Sequence, residues 1–422
     1  MSRNRTASVR AAGRVGRQGG PARADGRSAA PLWWVWLAAW PVTAVFVLSN
    51  AATPLYVVWQ RDFGFSKGTL TVVFAFYIVG LIGSLLVSGV VSDRIGRKPV
   101  LLPALLLALL ACLVFATATG VAALIVGRLL AGVAVGAVVS AGMAAVTDVA
   151  GPERKRLAAL LASCAMVFGA GLGPFMAGVL SETLPAPTVT VFVVEAVLLV
   201  TAVLVVLRMP IRRPLSPVKG GAWMRVPAVP RGSGRQLMQG VVVFAPGLTA
   251  TSFVLSLGPS LLSGLLGTTS RIVAGGMAFA MFLTATGVQF AVRRLPRHTI
   301  LAAGAIGTAM SMITLIVAVH ASSAPILVAS ALLAGAGQGM GQLGGLSLLN
   351  AAVPPERLAE ANAALNVGGY LLAGVLPVSA GYLSDAVGLT GGATVFGVVL
   401  MGLAAVGGLV VTAGRGKAAE PA

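Results

Sequence analysis

The chain is 422 residues long, 57% of them hydrophobic and only 10% charged, against the roughly 25% charged residues of a soluble globular chain. Water is thereby excluded as the solvent for most of the protein. The formal net charge of +19 would suggest nucleic acid as a partner in a soluble chain, but its placement along the sequence assigns it to membrane topology instead.

Residues 1–32 are rich in Arg, Gly and Ala and lack helical periodicity. They are expected to form a disordered basic tail that touches anionic lipid. From Trp34 onward, apolar stretches of the ~20 residues needed to cross a bilayer recur along the chain. Their continuous apolar character, without period-two alternation, reads as helices and excludes barrel strands. The first six are expected at Trp34–Val58, Gly68–Val91, Val100–Ala118, Ala122–Val146, Leu157–Leu180 and Thr188–Leu207. A Pro-rich basic linker, 208–236, separates them from Leu237–Leu262, Ile272–Val292, Ile300–Val319, Ile326–Leu349, Glu360–Ser384 and Gly391–Ala413, and 414–422 form a short tail. The fold class is thus an all-α membrane protein of twelve transmembrane helices, with six-helix bundles at 33–207 and 237–413.

Lys and Arg accumulate in cytoplasmic loops. With the N-terminus inside, 26 of the 30 basic residues fall on the inner side, so both termini are expected in the cytoplasm of a bacterial cell, the protein sitting in its inner membrane. Trp33, Trp34, Trp36 and Trp40 suit an interfacial aromatic belt. Cys112 and Cys164 fall inside spans, where packed or lipid-facing thiols are expected and a disulfide or metal site is not.

The two halves are related by an internal repeat. An offset of 203 residues places Leu129–Gly132 on Leu332–Gly335, Gly136 on Gly339, Pro152–Arg154 on Pro355–Arg357, Pro174 on Pro377 and Ala177–Gly178 on Ala380–Gly381. Such parallel repeats are found in transporters whose halves rock about a central site.

The loop between the second and third spans reads Gly89-Val90-Val91-Ser92-Asp93-Arg94-Ile95-Gly96-Arg97-Lys98-Pro99. It joins an acid at a helix end, a Gly in the turn and a Pro to begin the next helix. In this loop the chain resembles the major facilitator superfamily. The resemblance implies a conformational latch formed by Gly89, Asp93, Arg94, Gly96, Arg97 and Lys98, in which Asp93 pairs with Arg97 and sits against the start of helix eleven, near Pro355 to Glu360. A carboxylate at the positive end of a helix dipole is favourable, and a contact made in only one domain arrangement biases the equilibrium between two. The counterpart loop, Gly287 to His298, keeps Arg293, Arg294 and Arg297 but has no acid, so the latch is expected on one half only.

In span four, Arg128 with Gly132 and Gly136 resembles the family's Arg-containing motif, which is linked to proton coupling. The alternative is an Arg snorkelling to the nearer interface. Glu195 is the one clearly intramembrane carboxylate, and it is expected at a similar depth. It is read as a partner of Arg128, as a proton carrier, or as a margin residue reaching the headgroups. In span five, Gly169, Gly173, Pro174 and Gly178 resemble the signature of drug and metabolite antiporters, with Ala177 replacing one Gly. Small residues four apart with a Pro suit a sliding interface between the halves. Polar groups for a central cavity are offered by Asn50, Thr53, Thr249, Thr251, Ser252, Gln338, Gln342, Asn362, Asn366 and Tyr370.

The resulting expectation is a proton-coupled exporter of amphipathic or hydrophobic drugs or metabolites that acts as a monomer. Its partners are lipid, protons and the small-molecule substrate, with no nucleic acid, cofactor or metal. The alternative is an importer of sugars or small organic acids with the same fold. A membrane enzyme or a transport-dead sensor is disfavoured. Both His, His298 and His320, are placed in loops, no metal-ligand spacing appears, and no phosphate-binding Gly-rich loop is present.

Overall fold

The fold is described from a computed structural model, over residues 31–211, 228–264, 267, 269–354 and 357–416. Most of the expected basic tail and linker, the end of the C-terminal tail, and Pro355 and Glu356 of the expected latch lie outside the described residues. The chain folds into α1 (Leu32–Phe63), α2 (Lys67–Ile95), α3 (Lys98–Ala116), α4 (Val121–Ala150), α5 (Pro152–Thr183), α6 (Pro187–Arg208), α7 (Gly234–Gly264), α8 (Arg271–Val292), α9 (Arg297–His320) and α10 (Ala324–Ala352). A last helical stretch, Leu358–Gly416, is two helices merged across a kink at Gly388, here α11 (358–387) and α12 (389–416). Among the described residues there are eleven helical stretches long and apolar enough to cross a membrane, this joined pair counting as one. The protein is a multi-pass membrane protein.

Local sequence explains where the helices begin and end. Ser66 caps α2 by accepting a hydrogen bond from the Thr69 N–H at 3.1 Å, satisfying one of the amides that a helix start leaves without an internal partner. The same helix ends at Gly96, whose φ of +100° suits a residue without Cβ, and Pro99 sits in the first turn of α3, where its missing N–H is harmless. Gly388, with φ +82°, is the only non-helical residue between α11 and α12, so the expected gap between spans eleven and twelve shrinks to a single kink. Inside α1 a 3-10 turn covers Thr53–Leu55, with Pro54 in its first turn, and inside α4 a π-turn covers Val138–Gly142. His298 and His320, expected in loops, instead lie in the first and last turns of α9, because that helix starts directly after Pro296.

Consecutive helices alternate in direction. The start of α3 meets the end of α6, where the Lys98 Nζ donates to the Leu207 carbonyl at 2.8 Å. The start of α7 meets the end of α10 through Ser233 and the Ala352 carbonyl at 3.2 Å. The face carrying the start of α1 and the 93–98 loop is called here the N-terminal face.

Within lipid there is no hydrophobic drive for helix association, so close backbone approach at small residues takes its place. In α4, Gly132 lies directly on the Tyr77 carbonyl of α2, and a Cβ on Gly136 would lie 2.7 Å from the Leu81 carbonyl. The second half repeats this geometry, with Gly335 on the Met281 carbonyl and Gly339 on that of Ala285. These are the residues that the 203-residue offset equates. Trp59, Phe115 and Phe192 stack at 4.8–6.1 Å between centroids and join α1, α3 and α6. Outward-facing Leu106, Ile306 and Leu409 are 61–68% exposed, a surface for which lipid tails are the suitable solvent. Trp33 and Trp36 are exposed near the start of α1, as a belt requires, whereas the Trp40 Nε1–H donates to the Thr201 hydroxyl at 2.8 Å. Cys112 is packed and Cys164 exposed.

The Gly132 contact predicts that Gly132→Val, which drives a side chain into the α2 backbone, destabilises the protein by ~1–3 kcal/mol. Gly83→Val, where an added Cβ meets nothing within 4 Å, is expected to leave stability as it is. Thermal unfolding of the two purified variants in detergent checks both.

Candidate functional site

Three sets of residues make up the candidate site: the 93–98 loop, the buried Arg128 and Glu195, and the seam between α5 and α8.

The loop is built as a fork of charges. Arg97, 20% exposed in its side chain, donates from Nη1 to the Asp93 carboxylate at 2.6 Å and from Nε to the Asp148 carboxylate at 3.0 Å. A third bond runs from Nη1 to the Ser92 hydroxyl at 3.0 Å. Partial burial works against charge on the guanidinium, but hydrogen bonds and Coulomb attraction from Asp93 and Asp148 outweigh it and hold the pKa above its ordinary value. Gly89 lies two turns before the end of α2, Arg94 is partly buried in its last turn, and Lys98 fastens the loop to α6. The expected Asp93–Arg97 pair is therefore present. Asp148, at the end of α4, is a partner that sequence spacing did not single out, since it enters through the packing of α4 beside α2.

Arg128 is fully buried in α4, so it does not snorkel. Its Nη1 donates to the Ser49 carbonyl of α1 at 2.7 Å, and its guanidinium lies 5.0–5.4 Å from the ring centroids of Tyr56, Phe74 and Tyr77. The aromatic faces supply negative potential where an acid was expected. Its Nε and Nη2 have no hydrogen-bond partner in the protein. Glu195 is also fully buried, on the stripe of α6 that includes Phe192 and Leu199, and its carboxyl group, with no side chain bonded to it, has the Leu48 backbone of α1 as a polar neighbour. The two residues do not pair, and the headgroup-reaching reading of Glu195 is corrected as well. The reason is packing: α6 turns its buried stripe to α1 and α3, whereas Arg128 is held by α1 and α2.

The α5 motif serves two surfaces rather than one. Gly169 and Gly173 approach the Thr43 and Val47 carbonyls of α1, in the same half. Gly178 lies on the Arg271 carbonyl and the Pro174 carbonyl lies against Gly275, both in α8 of the other half. Gly171, Pro174 and Gly178 reach the expected interface between halves, whereas Gly169 and Gly173 do not.

The course of α5 and α8 is the most informative feature. At the face opposite the N-terminal one they touch through Gly178, through Phe175 and Phe279 stacked at 5.6 Å, and through hydrogen bonds between Glu182 and the first residues of α8. At the N-terminal face the same two helices part around a cleft of about 630 Å³ lined by Glu153, Arg154, Arg156, Leu157, Leu160, Phe290 and Arg293. On the opposite face α1 meets α7 through the Ser260 hydroxyl, which donates to the Gln60 Oε1 at 3.1 Å.

The polar residues expected at the centre are partly accounted for by one bond between helices, from Asn50 to Ala170, and by bonds within a helix. The Asn50 amide donates to the Ser49 hydroxyl and the Ala170 carbonyl, and the Thr251 hydroxyl donates to the Leu248 carbonyl. The Thr249 and Ser252 side chains are buried, whereas Gln342, Asn366 and Tyr370 are half-buried. The Gln338 Oε1, Asn362 Oδ1 and Thr53 hydroxyl are buried without partners, and the buried Tyr56 hydroxyl stands beside the Arg128 guanidinium. Tyr56, Phe74 and Tyr77 around Arg128 were not legible in the sequence, because aromatic residues in apolar helices are ordinarily packing.

The profile of the Major Facilitator Superfamily matches residues 35–294 of the chain. None of the curated proteins compared matches the sequence. Among solved structures, a bacterial homologue of the human lysosomal transporter Spinster, in an inward-facing and unoccupied conformation, superposes with a TM-score of 0.68 at 14% identity, covering 90% of this chain and 96% of that one. A mutant of the nucleoside transporter NupG gives 0.69 at 13% identity, with 90% and 99% covered. The human organic anion transporter MFSD10 gives 0.61 at 20% identity, with 90% and 98% covered. At these identities the structures support the fold alone. Since the family profile spans more than half of the chain, this protein belongs to the Major Facilitator Superfamily.

Proposed function

We propose that the protein is a secondary transporter that exports an amphipathic drug or small metabolite in exchange for protons, by alternating access across a bacterial inner membrane with both termini cytoplasmic. On this reading the chain crosses twelve times, as bundles 33–207 and 237–413 joined by the linker 208–236, and works as a monomer. The observation that carries it is the course of α5 and α8, tight at one face and parted at the other. Two bodies joined in this way can exchange access by rocking. The Asp93–Arg97–Asp148 cluster stands on the open face, where its latch contact would form on closure.

Proton coupling rests on Arg128 and Glu195. A carboxyl group enclosed by the bundle, with the Leu48 backbone and no cation beside it, is placed to carry a proton and to exchange it when rearrangement brings water. Arg128, held by a carbonyl and three rings, can change partners without first breaking an ion pair. The polar groups offered to a substrate, Asn50, Thr251, Gln338, Gln342, Asn362, Asn366 and Tyr370, include no acid, which favours a neutral or amphipathic ligand. A second reading, transport of a small organic acid, is favoured by one observation: the Arg128 Nε and Nη2 are buried donors without acceptors, suited to a carboxylate.

Proton flux in proteoliposomes under an imposed pH gradient separates these readings. Addition of hydrophobic antibiotics or dyes is expected to release protons, with Arg128→Ala and Glu195→Gln abolishing the release and Asp93→Asn slowing it. Intact proton-driven transport in both of the first two variants would end the coupling proposal, and a response to small carboxylates alone would favour the second reading. Orientation is checked with single cysteines in a Cys112→Ala, Cys164→Ala background. Ser216→Cys in the linker is expected to react with an impermeant maleimide only from the cytoplasmic side, and Thr119→Cys only from outside.

A further inference from the structure

Two carboxylates on the closed face do the same thing in the two halves. Asp385, near the end of α11, accepts from the Lys67 N–H at 2.9 Å and the Gly68 N–H at 2.8 Å, the first two amides of α2. Glu182, near the end of α5, accepts from the Arg271 N–H at 2.9 Å and the Ile272 N–H at 3.3 Å, the first two amides of α8, and from the Ser270 hydroxyl at 3.2 Å. The third amide of each helix is already taken by its own cap: Thr69 N–H by Ser66 at 3.1 Å, and Val273 N–H by Ser270 at 3.3 Å. Each foreign carboxylate therefore fills the two positions that the local cap leaves open.

The match extends to the sequence. The offset of 203 residues that relates the halves carries Glu182 onto Asp385 and Gly178 onto Gly381. One turn before each carboxylate, these glycines let the helices close: Gly178 lies on the Arg271 carbonyl, and an added Cβ on Gly381 would meet the Thr71 hydroxyl and, at 2.8 Å, the Lys67 carbonyl. Both contacts join one half of the chain to the other. Each is a charge-assisted pair of bonds at the positive end of a helix.

We infer that Glu182 and Asp385 are gating residues, a matched pair of clamps that hold the face opposite the N-terminal one shut and must both release for it to open. They are positioning groups for the transport cycle and act through backbone amides, so their partners cannot be changed by altering the Lys67 or Arg271 side chains. On the other face the loop acid Asp93 belongs to one half only, so the two faces are secured differently: by two equivalent clamps here and by a one-sided latch there. The inference rests on the rocking motion of the proposed function, though not on proton coupling or on the substrate.

The test is the distance between spin labels in the full-length protein, in a Cys112→Ala, Cys164→Ala background. Labels at Leu184→Cys and Thr269→Cys report the closed face, and labels at Leu160→Cys and Phe290→Cys report the cleft. Glu182→Gln and Asp385→Asn, which keep shape and remove charge, are each expected to raise the ratio of long to short distances in the first pair by about tenfold, and the double variant further, while the second pair shortens. Lys67→Ala and Arg271→Ala are expected to leave both distributions as in the parent. Shifts with these two as large as with the carboxylate variants would overturn the backbone clamp in favour of side-chain ion pairing. If distances respond to Asp93→Asn but not to the Glu182 and Asp385 variants, singly or together, the gate is refuted and rocking stands. If no variant moves either pair, rocking itself is refuted, and the gate with it.

Discussion

A backbone amide in hydrocarbon has no water to turn to, and that constraint shapes this protein at every level. It makes helices the form of the spans, because a helix bonds its own interior amides and carbonyls. It leaves little but van der Waals contact to hold one helix against the next, which is why Gly132 and Gly136, and Gly335 and Gly339 after them, lie against neighbouring carbonyls. It also singles out helix ends, where the first amides and last carbonyls are left over. The structure places its conspicuous charges at those ends.

Seen this way, the two faces follow one principle. On the N-terminal face the α2–α3 turn gathers Asp93, Arg97 and Asp148, and Lys98 takes a leftover carbonyl of α6. On the opposite face Glu182 and Asp385 take leftover amides of α8 and α2. Bonds of this kind cost little to exchange for water at an interface and would be hard to replace in the bilayer centre. Helix ends are therefore a suitable place for contacts that form in one arrangement of the halves and dissolve in another. The glycines beside them set how closely the halves approach.

The centre obeys a different rule. There, polar groups without partners are expensive, yet Arg128, Gln338 and Asn362 all carry buried atoms that nothing in the protein satisfies. Arg128 is eased by three aromatic rings and one carbonyl. Glu195 has the Leu48 backbone beside it and no cation. Groups left in this condition are suited to ligands that come and go, protons and substrate among them, because a fully satisfied group would have no reason to bind either.

Much of this was legible in the sequence. Apolar runs of bilayer length, the basic residues between them and the 203-residue repeat depend only on composition and order along the chain, so they located the helices to within a few residues. The Asp93–Arg97 pair was implied by the resemblance of that loop to the family signature. Tertiary structure alone decided what lies across a helix interface: that Asp148 shares Arg97, that aromatic rings and not Glu195 surround Arg128, that Gly169 and Gly173 face α1 while Gly178 faces α8, and that Glu182 and Asp385 reach amides some ninety and three hundred residues away. Such contacts depend on the rotation of each helix about its axis. In an apolar bilayer that rotation is set by the fit of small residues against neighbouring backbones, and a sequence nearly uniform in hydrophobicity around each helix does not reveal it.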